Sequence, residues 1–369
     1  MNFSLQSNLP NQILHSKKNN VNDPGEHFLL ASGTITKSMA KAYSYLPFGF
    51  RIKRKIERRF EIFAENHGYE PVQLPSLVPL TICPERYHRF QCHVSSPYLK
   101  NLSLISRSED SIGQLAKKIF LNKNGYSLWL NSREWRASGG SSGFLRSIEY
   151  ENLVAYRAGF IDKDKLVNSL KKIVILNIEP LISKFSWTEP YQSRTGEYTA
   201  QNLNVHFKDN TSVLIGQVCI FSRQSAIKLK LIPAVGENTV ACASISINRL
   251  VYALGRYLSE HPQATWPCAI TPYHLHLIVV SSTFFAKAEN LCTEISKSNI
   301  KQDFTILIDD RRISVGKKLF DADLLRLPFR IVLGNSTCIG FRAPGHSETK
   351  IPWNEAIIEL IAFLKGENN

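Results

Sequence analysis

The stretch Thr239–Arg249, TVACASISINR, holds the residues whose types and spacing best suit chemistry. Read as a strand, it sends Ala243, Ile245 and Ile247 one way and Cys242, Ser244 and Ser246 the other. The second face is small and polar. Asn248 suits the N-cap of an amphipathic helix carrying Leu250, Ala253, Leu254, Tyr257 and Leu258, with Arg249 in its first turn. A smooth face with a guanidinium at its exit fits a flat ring and a polyphosphate. A core strand followed by a core helix would read the same way, so the rest of the chain has to decide.

A second group lies upstream. From Tyr126 to Tyr156 the pattern is strand, Gly/Ser loop, strand (YSLWLNSREWR, ASGGSSG, FLRSIEYENL), a long hairpin carrying Arg133, Arg136, Arg146 and Glu149. Arg136 also reads as a simple partner of Glu134, and Glu149 as a solvated strand residue. Cys83, His88, Cys92 and His93 could hold zinc, but they lack a paired CxxC and a second half-site, so no metal is assigned. The seven cysteines are an odd number, mostly in apolar runs, which fits reduced thiols in an intracellular compartment.

These side chains need a frame. Phe48 to Asn66 predicts a helix: Ile52, Ile56, Phe60 and Phe63 form an apolar stripe, Arg51, Lys53, Arg54, Lys55, Arg58 and Arg59 crowd the other faces against Glu57 and Glu61, and Gly68 closes it. That basic face is either solvated or in contact with nucleic acid. PVQLPSLVP follows as a short strand, then the hairpin, a helix at roughly Lys163–Ser183, and the strand SVLIGQVCIF. The Pro-punctuated HPQATWPCAITP marks a boundary near residue 264. Beyond it HLHLIVV, DFTILI and PFRIVLG are apolar strands, Phe284, Ala288, Leu291 and Ile295 stripe a helix, and Trp353–Lys365 forms the last helix. Strands alternating with helices predict a small α/β domain with parallel strands. Residues 1–24 read as a polar tail, with a transit peptide as the alternative.

Composition sets the bounds. The 369 residues, 43% hydrophobic and 21% charged, describe a soluble globular chain long enough for two domains. The net charge of +14, from 45 basic and 31 acidic residues, favours polyanion partners. No window reaches about 18 consecutive apolar residues, so no membrane span is expected. The expected location is cytoplasmic or organellar.

Several blocks together resemble a known family. ASGTITKSMAKAYSYLPFGFRIKRKIERRF followed by VQLPSLVP looks like the start and motif 1 of a class II aminoacyl-tRNA synthetase, most like the prolyl type, with Pro75 at the motif 1 proline. In the hairpin, Arg146 to Tyr150 looks like the second half of motif 2, and TVACASISINR looks like motif 3. WPCAITPYHLHLIVV and ILIDDRRISVGKKLFDADLLRLPFRIVLG are similar to the prolyl-type anticodon-binding domain.

The resemblance implies an α+β catalytic domain built on an antiparallel sheet over 25–263, an anticodon-binding-like α/β domain over 264–369, and a homodimer formed through motif 1. It implies ATP with Mg2+, an amino acid, and tRNA or another nucleic acid as partners. Arg133 would meet the α-phosphate, Arg146 and Arg249 the outer phosphates, and Tyr150 would stack on adenine. Glu134, Ser244 and Ser246 would complete the ATP site. Glu109 and Gln217 would hold the amino acid, while Arg311, Arg312, Lys317 and Lys318 would face RNA. The chain departs from the family pattern at Arg107, which replaces a threonine, and at Leu214, which replaces a glutamate. Glu134 directly follows Arg133, where the family places the acid two residues on. Ala241, Ser244 and Ser246 replace glycines, and no editing domain stands between motifs 2 and 3. Two functions are compatible: adenylate formation with acyl transfer, or an inactive paralogue that binds nucleic acid or serves as an accessory subunit.

Overall fold

The computed structural model describes residues 2–8, 22–80, 92, 101–120, 125–136, 143–297, 304–334 and 338–352, with Glu355, 358–360 and Ala362. Two compact units emerge: residues 37–43 with 56–253, and residues 1–36 with 44–55 and 254–369. The division differs from the single boundary expected near residue 264.

In the unit containing 56–253, the sheet runs in the order Tyr191–Gln192, Tyr198–His206, Ser212–Phe221, Thr239–Ser246, Glu149–Gly159, Gly125–Trp135 and Glu70–Pro71. Every pairing along it is antiparallel except the last, a short parallel edge. The expected antiparallel sheet is therefore present. The hairpin strands pair in unbroken register from Gly125↔Gly159 to Trp135↔Glu149, because alternating apolar residues fix which face is buried. The helix Glu109–Phe120 packs on one face through Ile112 and Ala116, against Tyr126, Leu128 and Tyr156. Its Gly113 is obligatory, since a Cβ there would sit 1.8 Å from the Leu229 carbonyl oxygen. The helix Lys163–Ile178 starts at Asp162, whose carboxylate accepts from the amides of Asp164 and Lys165, and buries Leu166, Leu170, Ile173 and Val174.

In the other unit, Asn2–Leu5, Thr305–Asp309, Leu275–Val279 and Phe329–Leu333 lie parallel, and Cys338–Arg342 and Thr349–Pro352 continue the sheet antiparallel. The helix Phe285–Lys297 buries Ala288, Leu291 and Ile295 on this sheet, as the stripe predicted. A further helix, Val315–Leu325, is capped by Ser314 and stopped by Arg326 in the left-handed region at φ 51°. The expected polar tail is corrected at its start. Asn2–Leu5 is a strand because the edge strand Thr305–Asp309 offers unpaired backbone groups, and Leu5 packs on the core. Gln6 is buried behind it, its side-chain oxygen 2.9 Å from His276 Nε2.

The predicted basic helix forms over Pro47–Asn66, burying Phe48, Ile52, Ile56 and Phe60, and Gly68 follows at φ 77°. Among the described residues, no helix is long and apolar enough to cross a membrane. Of the zinc candidates only Cys92 lies within the described residues.

Candidate active site

The polar face foreseen for TVACASISINR becomes the floor of a cavity of about 410 Å³. Cys242, Ser244 and Ser246 line it from one strand, and Gln217 and Cys219 from the neighbouring strand. The hairpin contributes Glu134, Arg136, Tyr150 and Asn152, and the turn before the helix at Glu109 adds Ser106, Arg107 and Ser108. Tyr198, Leu214 and Arg249 also line the cavity. Its size falls in the usual range for small-ligand sites.

Arg249 lies in the first turn of the helix Ile247–Glu260. Its guanidinium donates to the Leu214 carbonyl at 3.2 Å. Burial lowers its pKa, with Arg136 and Arg146 acting the same way and Tyr150 opposing. Asn248 is not the N-cap. The helix already begins at Ile247, and the Asn248 side-chain oxygen accepts the Glu151 amide at 3.3 Å.

Glu134 is the structural hub. One carboxylate oxygen accepts from the Ser108 amide and the Ser132 hydroxyl, each at 3.2 Å. The other accepts from Arg136 at 3.1 Å and Asn152 at 2.9 Å. Burial pushes its pKa up to about 7, with Arg136, Asn152 and the Ser108 amide pulling it down and Glu109 adding to the rise. The Arg136 guanidinium also donates to the Ser106 carbonyl at 2.9 Å and lies 5.6 Å from the Tyr150 ring centre. Arg136 thus acts on both Glu134 and Arg249, Glu109 adds its charge at Glu134, and Tyr150 and Arg146 add theirs at Arg249.

Gln217 is held in place by its neighbours. Its amide donates to the Tyr191 hydroxyl at 2.9 Å and to Asn202 Oδ1 at 2.8 Å, while Cys219 Sγ donates to Gln217 Oε1 at 3.0 Å. Ser108 and Tyr156 share a hydroxyl–hydroxyl bond of 2.7 Å beneath the cavity.

Two expected phosphate contacts are corrected. Arg133 points away from the cavity and pairs with Glu149 at 3.1 Å and Glu151 at 3.2 Å. The reason is strand parity: Glu134 faces the cavity, so the residue beside it cannot, and Ser132 stands two residues before the acid on the same face. Arg146 is exposed in the turn Phe144–Arg146 and is absent from the cavity lining, although its charge reaches Arg249. Arg136 is the guanidinium that enters instead. The spacing Glu134–Arg136 signalled this, because both have the same parity.

The donor set does not fit a protein-held magnesium ion. Glu134 spends both oxygens on four donors, and Glu149 and Glu151 face Arg133. No cluster of three ligating side chains occurs among the described residues.

The expected RNA face also divides. Arg311 forks onto Asp309 Oδ2 at 2.7 Å and Asp321 Oδ2 at 2.8 Å, and Lys318 is buried, donating to the carbonyls of Val279 at 2.6 Å and Asp309 at 3.1 Å. Both are internal ties: the carboxylates and carbonyls at the strand ends need donors. Arg312 and Lys317 remain exposed.

A family model described as an anticodon binding domain matches residues 274–340. Proline–tRNA ligases of Bacillus cereus (strain B4264) and Bacillus anthracis (strain A0248) are 33% identical over 114 residues, 30% of this chain and 20% of theirs. The chain thus matches only 20% of the length of these curated relatives. The structure of Giardia lamblia prolyl-tRNA synthetase in complex with prolyl-adenylate superposes with a TM-score of 0.78 at 15% identity, covering 94% of this chain and 79% of that one. Cryptosporidium parvum prolyl-tRNA synthetase, complexed with halofuginone and AMPPNP, gives 0.77 at 12% identity over 93% and 77% of the two chains. The fold is that of the class II prolyl-tRNA synthetases, with an anticodon-binding domain near the end of the chain.

Proposed function

We propose that this chain activates an amino acid with ATP as the aminoacyl adenylate and passes the acyl group to tRNA or another carrier. One observation supports the reading above the others: a single cavity is lined by the Glu109 carboxyl group and, apart from it, by the Arg249 guanidinium, while Glu134 and Arg136 neutralise each other. An α-amine is drawn to Glu109 and phosphates to Arg249. The substrate carboxylate attacks the α-phosphorus in line and pyrophosphate leaves. Guanidiniums fixed beside the phosphoryl oxygens stabilise the charge that builds there, and the cavity holds the reactants in register. Tyr150 offers a ring face for the base. Arg312 and Lys317 contact RNA phosphates, and the chain works as a homodimer through the motif 1 segment around Pro75, in the cytoplasm or an organelle.

A second reading, a nucleic-acid-binding or accessory protein without catalysis, is favoured by Ser132, which stands where the synthetase pattern calls for the α-phosphate arginine. ATP–pyrophosphate exchange across a panel of amino acids separates the two. Exchange that depends on one amino acid supports activation. No exchange with any of them, together with retained tRNA binding, supports the second reading.

A further inference from the structure

We propose that Cys219 and Cys242 are a site of reversible oxidation, closing a disulfide across the floor of the cavity. They are register partners on neighbouring antiparallel strands. Directly opposed residues in such a ladder have Cα atoms about 4.5 or 5.5 Å apart, according to the pair type. Both separations fall within the roughly 4.4–6.8 Å that a disulfide spans. Their side chains emerge on the same face and both line the cavity. Both are free cysteines and are buried from bulk solvent, so access is through the cavity and favours a small oxidant.

The chemistry needs a hydroperoxide, of which hydrogen peroxide is the simplest. The Cys219 Sγ–H points at Gln217 Oε1, 3.0 Å away, which polarises the S–H bond, so Cys219 reacts first. The Cys219 sulfur attacks one peroxide oxygen, the O–O bond breaks, and the departing hydroxide takes up the Cys219 proton to leave as water. Cys219 is then a sulfenic acid. The Cys242 sulfur attacks the Cys219 sulfur, the S–O bond breaks, and the hydroxyl leaves with the Cys242 proton as a second water. Two thiols have been oxidised to one disulfide, and one peroxide has been reduced to two waters. The product removes the S–H donor that Cys219 directs at Gln217 Oε1 and pins the two floor strands together.

The test uses the full chain, treated with hydrogen peroxide, alkylated and digested for mass spectrometry. The expected result is a peptide pair joining Cys219 to Cys242, two hydrogens lighter than the sum of its parts and separated again by dithiothreitol. Cys219→Ser and Cys242→Ser each abolish it. Half-buried Cys268 reports whether the oxidant has acted. Oxidised Cys268 alongside fully alkylated Cys219 and Cys242 overturns the proposal, as does separate sulfinic acid on either residue without the cross-link. The readout needs no catalysis, so its failure is distinct from failure of the activation reading.

Discussion

Replacing Glu134 by Gln isolates the most perturbed carboxyl in the cavity. Glu134 is 3% exposed, and burial raises its pKa from the ordinary 4.5 to about 7. Between those values the folded protein keeps a proton that the unfolded chain has released. The contribution of this group to stability is therefore full below about pH 4.5 and is lost as pH rises through 7. Such a rise is equivalent to roughly 3 kcal/mol at most. Glutamine has the same shape and no proton to lose. It also turns an NH2 group toward donors, and neither the Ser108 amide nor Arg136 can rotate into an acceptor, a pH-independent loss of about 1–3 kcal/mol. Urea unfolding of the unit containing 56–253, measured for both proteins from pH 5 to 8, separates the two effects. The wild type should lose about 2.5 kcal/mol relative to the variant across that range. A difference between the two that stays flat with pH would refute the reasoning.

Four further outcomes follow from the structure. Replacing Arg312 and Lys317 together by Ala should flatten the log–log salt dependence of tRNA binding by about two units, whereas Arg311→Ala should destabilise by about 3–5 kcal/mol by removing the guanidinium shared by the buried Asp309 and Asp321; an unchanged salt slope in the double variant removes the RNA assignment. Gly113→Ala should lower stability by about 1–3 kcal/mol or more, because the new Cβ meets a carbonyl oxygen that cannot move away, and a midpoint equal to wild type in thermal unfolding contradicts this. His276 is buried and its pKa is pushed down to about 3 from 6.5, first by burial. The stability it contributes is present above pH 6.5 and lost as pH falls toward 3, up to roughly 5 kcal/mol, and His276→Gln should flatten acid unfolding followed by circular dichroism between pH 6.5 and 4.

The strands and helices that carry the site are legible in the sequence where one face is buried. The hairpin, SVLIGQVCIF and TVACASISINR each form the predicted strand, and TVACASISINR turns its small polar face toward the cavity as expected. Motif spacing alone misplaced Arg133, whereas parity would have directed attention to Ser132, Glu134 and Arg136. The roles of Arg311 and Lys318 could not be read from sequence, because a basic residue beside a strand end looks the same whether it faces RNA or ties down buried carboxylates and carbonyls. The first strand, Asn2–Leu5, was hidden for a different reason. Its four residues carry little pattern of their own, and the edge that pairs with them lies about 300 positions away.

The central claim is that guanidiniums in this cavity stabilise phosphoryl transfer, and ATP–pyrophosphate exchange by wild type, Arg249→Ala and Arg133→Ala tests it most directly. With the amino acid that the wild type accepts, Arg249→Ala should lose roughly tenfold to a hundredfold or more, the equivalent of about 1.5–3 kcal/mol for one charge-assisted contact. Arg133→Ala should keep wild-type exchange, because its guanidinium faces Glu149 and Glu151 outside the cavity. Exchange at the wild-type rate in Arg249→Ala, or exchange that vanishes in Arg133→Ala while the fold is intact, contradicts the account.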